Sequence, residues 1–144
     1  LDLKTTIENS RLNQTLNTPA LTTLFLVDAQ LDWILENGGM DFSNKRCTDS
    51  SSQLFTWAEN NPLTSPFVEN EKERSLVTAT IDIDSKIDAE IVVATLRANG
   101  LVDCDPYRKL GKNQIRVATF PSIEPDDISQ LIKCLDYILG ELSA

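Results

Sequence analysis

The sequence predicts an α+β fold in which two N-terminal helices precede a β-α-β-β-α small domain with a mainly antiparallel sheet. Three observations carry that expectation. Apolar residues recur at helical spacing early in the chain, at Leu21, Leu24, Leu31 and Leu35, and again near its end, at Ile128, Leu131, Leu135 and Leu139. Between these runs, Val77, Ala79, Ile81 and Ile83 alternate with polar residues, the pattern of a half-buried strand. A connection spanning 61–74, with Pro62, Pro66 and several charges but no sustained period, separates the two blocks.

Taken in order, residues 1–18 are polar and predict a short helix or turn leading into an ordered loop. Thr18 suits an N-cap and Pro19 the first helical position, where its missing N–H is not needed. Phe25, Leu26, Val27, Trp33 and Ile34 widen the apolar surface of the helix that follows beyond one stripe, so it calls for partners on more than one side. Gly38 and Gly39 end it as a glycine C-cap would. A second helix is expected over Met40–Asn60, with Phe42, Leu54, Phe55 and Trp57 apolar. Ser50, Ser51 and Ser52 in its polar middle read as exposed.

After a strand over Leu76–Ile83, Asp84 or Ser85 is expected to cap a helix reaching about Asn99, with Ile87, Ile91, Val92 and Leu96 inward and Gly100 closing it. Leu101–Cys104 reads as a short strand and Gln114–Thr119 as another, with Ile115, Val117 and Thr119 facing the core and Gln114, Arg116 and Ala118 facing away. Glu124, Asp126 and Asp127 place negative charge at the start of a last helix, where its dipole favours it. Ile128, Leu131, Ile132, Leu135, Ile138, Leu139 and Leu142 should line its inner face.

Composition narrows the chemistry. A chain of 144 residues with 41% hydrophobic content can build one core, burying roughly 70% of its unfolded surface. No apolar run approaches the ~20 residues of a membrane span, and no signal sequence opens the chain, so a cytoplasmic protein is expected. The absence of histidine removes the commonest general base and metal ligand, and every Ser-His or Cys-His nucleophile pair. Cys47, Cys104 and Cys134 are widely spaced and suggest reduced, mostly buried thiols rather than a disulfide framework or zinc site. No metal is expected. A net charge of −9 argues against nucleic acid as a partner. The start without methionine, in mid-pattern, suggests a fragment.

Against that acidity, four of the 13 basic residues, Arg108, Lys109, Lys112 and Arg116, fall within nine positions. Such a cluster creates a local field suited to a small anion. Arg116, on the outer face of a rigid strand, offers a planar fork that matches a carboxylate, and Arg108 beside Tyr107 could hold a second anionic group at some distance. A solvated basic loop is the ordinary alternative, since charged residues stay exposed by default. Asp82 and Asp84 resemble a paired-carboxylate site, but their place beside a helix start favours capping.

Four stretches carry more than pattern. They are Asn-Gln-Thr-Leu-Asn-Thr-Pro-Ala at 13–20, Leu-Asp-Trp-Ile-Leu-Glu-Asn-Gly-Gly at 31–39, Leu-Arg-Ala-Asn-Gly-Leu-Val-Asp at 96–103, and Pro-Tyr-Arg-Lys-Leu-Gly-Lys-Asn-Gln-Ile-Arg-Val-Ala-Thr-Phe-Pro at 106–121. The chain thereby closely resembles the C-terminal part of the phosphoserine aminotransferases, the actinobacterial type in particular. These are homodimeric, fold-type I enzymes that depend on pyridoxal phosphate (PLP). They exchange an amino group between glutamate and 3-phosphohydroxypyruvate, giving phosphoserine and 2-oxoglutarate on the way to serine.

The resemblance implies that residues 1–38 are the end of the large PLP-binding domain with its connecting helix, and that 39–144 form the C-terminal small domain. It implies that Asn17 and Thr18 reach the cofactor phosphate of the neighbouring subunit, that Arg116 holds the substrate α-carboxylate, and that Arg108 lies near the substrate phosphate. The position before Arg108, often histidine in the family, is Tyr107 here, and the stretch between the two arginines is longer than in the commoner bacterial form. None of Lys4, Lys45, Lys72, Lys86, Lys109, Lys112 and Lys133 matches the Schiff-base lysine motif, which the family carries in its large domain. A transaminase needs that amine as covalent anchor and proton carrier, so this polypeptide alone is expected to be inert and to bind no PLP. The alternative is a free-standing small-molecule-binding regulatory or interaction domain, because β-α-β-β-α also resembles part of an amino-acid-sensing domain.

Overall fold

A computed structural model describes residues 2–144. They fall into two compact units, one ending at Gly39 and one spanning Met40–Ala144.

In the first unit, α1 (Leu3–Arg11) begins where the Asp2 carboxylate accepts the backbone N–H groups of Lys4 and Thr5 at 3.0 and 3.2 Å. This is the short helix expected before the loop. The second helix, α2 (Leu21–Glu36), starts later than Thr18 and Pro19 suggested. Ala20 occupies the cap position with ψ 81°, outside the helical region, and its carbonyl accepts the first helical bond from Leu24. Thr18 and Pro19 therefore precede the helix and cap nothing. At the other end Gly38 and Gly39 take φ of 115° and 69°, left-handed conformations that glycine adopts without a Cβ penalty. No side chain of α2 is buried.

In the second unit a three-stranded sheet runs β1 (Thr64–Pro66), β2 (Thr78–Ile83), β3 (Gln114–Ala118), each antiparallel to its neighbour. The α+β class and the antiparallel sheet are as expected, but the strand order is not. The stretch 61–74 supplies the first strand, paired Thr64 to Ile83. Leu101–Cys104 supplies none, because Asp103 sits at φ 64° and turns the chain out of an extended path. After its opening helix this unit thus reads β-β-α-β-α.

Two helices cover the sheet: α4 (Ala89–Ala98) and α5 (Pro125–Ser143). The cap of α4 is Asp88, whose carboxylate accepts Glu90 N–H at 2.8 Å, rather than Asp84 or Ser85. Asp84 instead accepts Lys86 N–H at 2.9 Å in the turn before it. Val93 takes the inward place expected of Ile91, which is half exposed. In α5, Ile128, Leu131, Leu135, Ile138 and Leu139 are buried, whereas Leu142, expected inside, lies exposed in the last turn. The core joins these residues to Ala79, Ile81 and Ile83 of β2, Ile115 and Val117 of β3, and Leu54, Trp57 and Ala58.

The last three belong to α3 (Gly39–Asn60), which is linked to α5 through side chains. The Trp57 indole donates to Asp136 at 2.6 Å, and the Ser129 hydroxyl donates to Gln53 Oε1 at 2.6 Å. Ser50 and Ser51, read from sequence as exposed, are fully buried; only Ser52 is exposed. The Ser51 hydroxyl turns back to the Thr48 carbonyl of the same helix at 3.4 Å, so its polarity is met locally and does not require exposure. Arg74 fastens the connection before β2: it pairs with Glu59 at 2.6 Å, donates to the Val68 carbonyl at 2.9 Å and lies 4.9 Å from the Phe55 ring centroid.

Candidate functional site

The basic loop and β3 form the wall of a concavity of about 500 Å³ on the second unit. Arg116 reaches it from the middle of β3, where its neighbours Ile115 and Val117 are buried in the core and fix the strand while Arg116 itself is exposed. Tyr107, Arg108 and Lys109 reach it from the loop, and Arg97 from the last turn of α4. The loop turns at Tyr107, whose carbonyl accepts Leu110 N–H at 2.9 Å, and Gly111 then takes φ 64°.

What holds this loop in place is Asn113, which the sequence reading passed over. Its amide donates to the carbonyls of Ile83 and Ile87 at 3.0 and 2.8 Å, and its Oδ1 accepts Ala89 N–H at 2.8 Å. One side chain therefore ties the end of β2, the first turn of α4 and the start of β3 together. A backbone bond from Arg116 N–H to Cys104 O, 3.2 Å, fixes the other end of the 104–113 segment against β3. Its partners lie 24 to 30 residues away along the chain, so no local pattern announces it.

The charge balance favours an anion. Arg97, Arg108, Lys109 and Arg116 line the concavity against Asp103 and Asp105. Arg97 is spent on Asp105, to which it donates at 2.7 Å. Arg108, Lys109 and Arg116 form no ion pair among the described residues. The structure thus brings Arg108 and Arg116 together on one surface with their donors uncommitted, the arrangement a carboxylate or phosphate can use. Lys112, counted in the same cluster by sequence, points elsewhere: its ammonium sits 4.5 Å from the Phe67 ring centroid.

Gln114 is the clear departure on β3. It was expected to face away from the core, yet it is 1% exposed, and its amide donates to Asp82 across the strand pair at 2.5 Å. Asp82 and Asp84 do not act as a pair: one receives Gln114 and the other caps a turn. Cys104, at the start of the loop, is a buried free thiol whose ionisation is pushed up by burial first and then by Asp105 and Asp103. Burial likewise pushes Cys47 up, so neither is an activated nucleophile.

Asn17 and Thr18 lie in the first unit, in the segment between α1 and α2. Both are exposed, and neither side chain makes a hydrogen bond among the described residues. An amide and a hydroxyl with free donors suit the oxygens of a phosphate group. Among the described residues no helix is long and apolar enough to cross a membrane.

No family model matches the chain. Similarity to individual proteins is extensive. The chain is 51% identical over 142 residues to a phosphoserine aminotransferase of Rhodococcus jostii (strain RHA1), and 50% identical over 141 residues to one of a Nocardioides species (strain ATCC BAA-499 / JS614). These matches cover 99% and 98% of this chain but 38% of each relative, so the chain spans well under half the length of the curated relatives it matches. Among solved structures, the phosphoserine aminotransferase from Bacillus circulans subsp. alkalophilus superimposes with a TM-score of 0.85 at 18% identity, over 96% of this chain and 37% of that one. The matched portion is the C-terminal one.

Proposed function

We propose that this chain is the C-terminal part of a phosphoserine aminotransferase and that its share of the work is to bind and orient an acidic substrate. The observation that carries the reading is the concavity lined by both Arg108 and Arg116, with no carboxylate among the described residues engaging either. About 50% identity over nearly the whole chain to proteins of that name supports the choice of reaction.

In this reading residues 1–38 end the large PLP-binding domain and 39–144 form the small domain of a cytoplasmic homodimer. Arg116 receives the α-carboxylate shared by glutamate and phosphoserine through its planar fork. Arg108, from the loop on the same wall, takes the phosphate of phosphoserine or of 3-phosphohydroxypyruvate. Fixing both ends of a small, flexible, doubly anionic substrate removes the freedom that would otherwise oppose reaction, which is a positioning contribution. Asn17 and Thr18 would donate to the phosphate of PLP through their free amide and hydroxyl. When bound, PLP supplies the electron sink for amino-group transfer and requires a lysine amine as its anchor. None of the seven lysines here matches that motif, so the polypeptide by itself binds acidic ligands without transferring an amino group.

The test uses the full-length enzyme that contains this chain. Arg116→Ala should raise KM for glutamate and phosphoserine together by about tenfold or more, the loss expected for a charge-assisted bidentate contact. Unchanged kinetics for both substrates would sink the assignment. For the 144-residue chain alone, borohydride treatment in the presence of PLP should leave no single lysine modified stoichiometrically; a unique pyridoxyl-lysine would overturn the expectation of inertness.

A further inference from the structure

Resting on the proposed function, we infer that Tyr107 is a positioning residue, holding the Arg116 guanidinium in the orientation that receives the substrate carboxylate. The reason begins with what Arg116 lacks. It is an exposed side chain with several rotatable bonds, and no carboxylate among the described residues restrains it. A free arginine of that kind spends its time over many rotamers, and ordering it on binding costs affinity.

The contact that answers this is the Tyr107 ring, whose centroid lies 5.8 Å from Arg116 Cζ, within range of a cation–π interaction. Its chemistry differs from that of an acidic partner. An aspartate would occupy the edge of the guanidinium and neutralise it. An aromatic face attracts the cation while leaving its N–H donors free, so the arginine is restrained without being spent. Arg97 provides the contrast on the same wall: Asp105 holds it at 2.7 Å, and its charge is compensated.

Tyr107 is itself well placed for the task. The bond from Arg116 N–H to Cys104 O draws the chain just before the tyrosine alongside β3. The turn closed between Tyr107 O and Leu110 N–H, followed by the left-handed Gly111, fixes where the loop departs. Asn113 anchors its far end. The ring therefore meets Arg116 from a loop secured on both sides, and Arg108, the next residue, lines the same concavity. One short segment thus sets both the posture of one anion-binding arginine and the site of the other.

Steady-state kinetics of the full-length enzyme test this. Tyr107→Ala should raise KM for glutamate and for phosphoserine alike by about two- to fivefold, the range expected of an exposed cation–π contact. Its kcat should stay within about twofold, with an unaltered thermal midpoint. Tyr107→Phe keeps the aromatic face and should restore both KM values. Three results would overturn the inference: Tyr107→Ala with wild-type KM values, Tyr107→Phe as impaired as Tyr107→Ala, or a rise confined to phosphoserine, which would assign the tyrosine to the phosphate. Arg116→Ala measured in parallel separates the two levels. If it raises both KM values while Tyr107→Ala does nothing, the positioning role alone fails; if it changes neither, the proposed function fails with it.

Discussion

The two units of this chain use similar proportions of apolar sequence to opposite ends. In Met40–Ala144 the apolar residues converge: Leu54, Ile81, Leu96, Ile115, Leu135 and Leu139 are essentially inaccessible to solvent. In α2, Leu21, Leu24, Phe25, Leu26, Val27, Leu31 and Leu35 are all at least half exposed, and no side chain of the helix is buried. Periodicity identifies both α2 and α5 as helices, but it cannot say what covers them. The difference lies in the arrangement around the axis. Apolar residues in α5 keep to one side, so a single sheet-backed surface satisfies them, whereas those of α2 spread around the helix and demand neighbours on several sides.

The sharpest way to break this comparison is to cut the same atoms from each unit. Leu135→Ala removes a fully buried side chain from the centre of α5. It should cost about 2–5 kcal/mol of folding stability, as buried leucine truncations do through lost transfer energy and a residual cavity. Urea unfolding of the 144-residue chain would measure it. A loss below about 1 kcal/mol would mean that the core is not packed as described.

Next in size is the polar anchor of the site. Asn113→Ala leaves the carbonyls of Ile83 and Ile87 and the N–H of Ala89 without their side-chain partner. Exchange for water offsets part of that loss, so the expected cost is about 1–3 kcal/mol. Under the proposed function, the same substitution in the full-length protein should weaken acidic-substrate binding, because the loop bearing Tyr107 and Arg108 loses its tether to α4. A stability loss with unchanged KM would show that Asn113 serves the fold alone.

How much of this was legible in the sequence follows from the range over which each feature is determined. Alternation along β2 and spacing along α5 are local, and both could be read directly. The outward aim of Arg116 was also legible, because Ile115 and Val117 on either side fix the strand's faces. By contrast β1 is three residues whose strand character comes from pairing with Ile81–Ile83, far along the chain. The false strand at Leu101–Cys104 fails at one backbone angle, that of Asp103, which no side-chain pattern announces. Ser50, Ser51 and Gln114 misled for a related reason. Polarity predicts exposure only on average, and a hydroxyl bonded back to its own helix or an amide paired across a sheet escapes it. The two arginines could be nominated from charge density, but neither Asn113 nor the neutralising Arg97–Asp105 pair could, since each depends on elements brought together by the fold.

The smallest effect on folding is expected where the sequence is most apolar. Leu24→Ala in α2 deletes the same atoms as Leu135→Ala but removes little buried contact, since Leu24 is 55% exposed. Its cost to stability should stay within about 0.5 kcal/mol, the ordinary range for surface substitutions. Its effect should surface elsewhere. An exposed helix with apolar residues on several faces is a surface that other apolar surfaces will cover, so the 144-residue chain should self-associate as its concentration rises. Phe25→Ser together with Leu24→Ala should shift sedimentation velocity profiles toward the monomer at unchanged unfolding midpoint. A wild-type chain that stays monomeric at high concentration would break the contrast from this side, because the apolar face of α2 would then be tolerated in water rather than waiting for a partner.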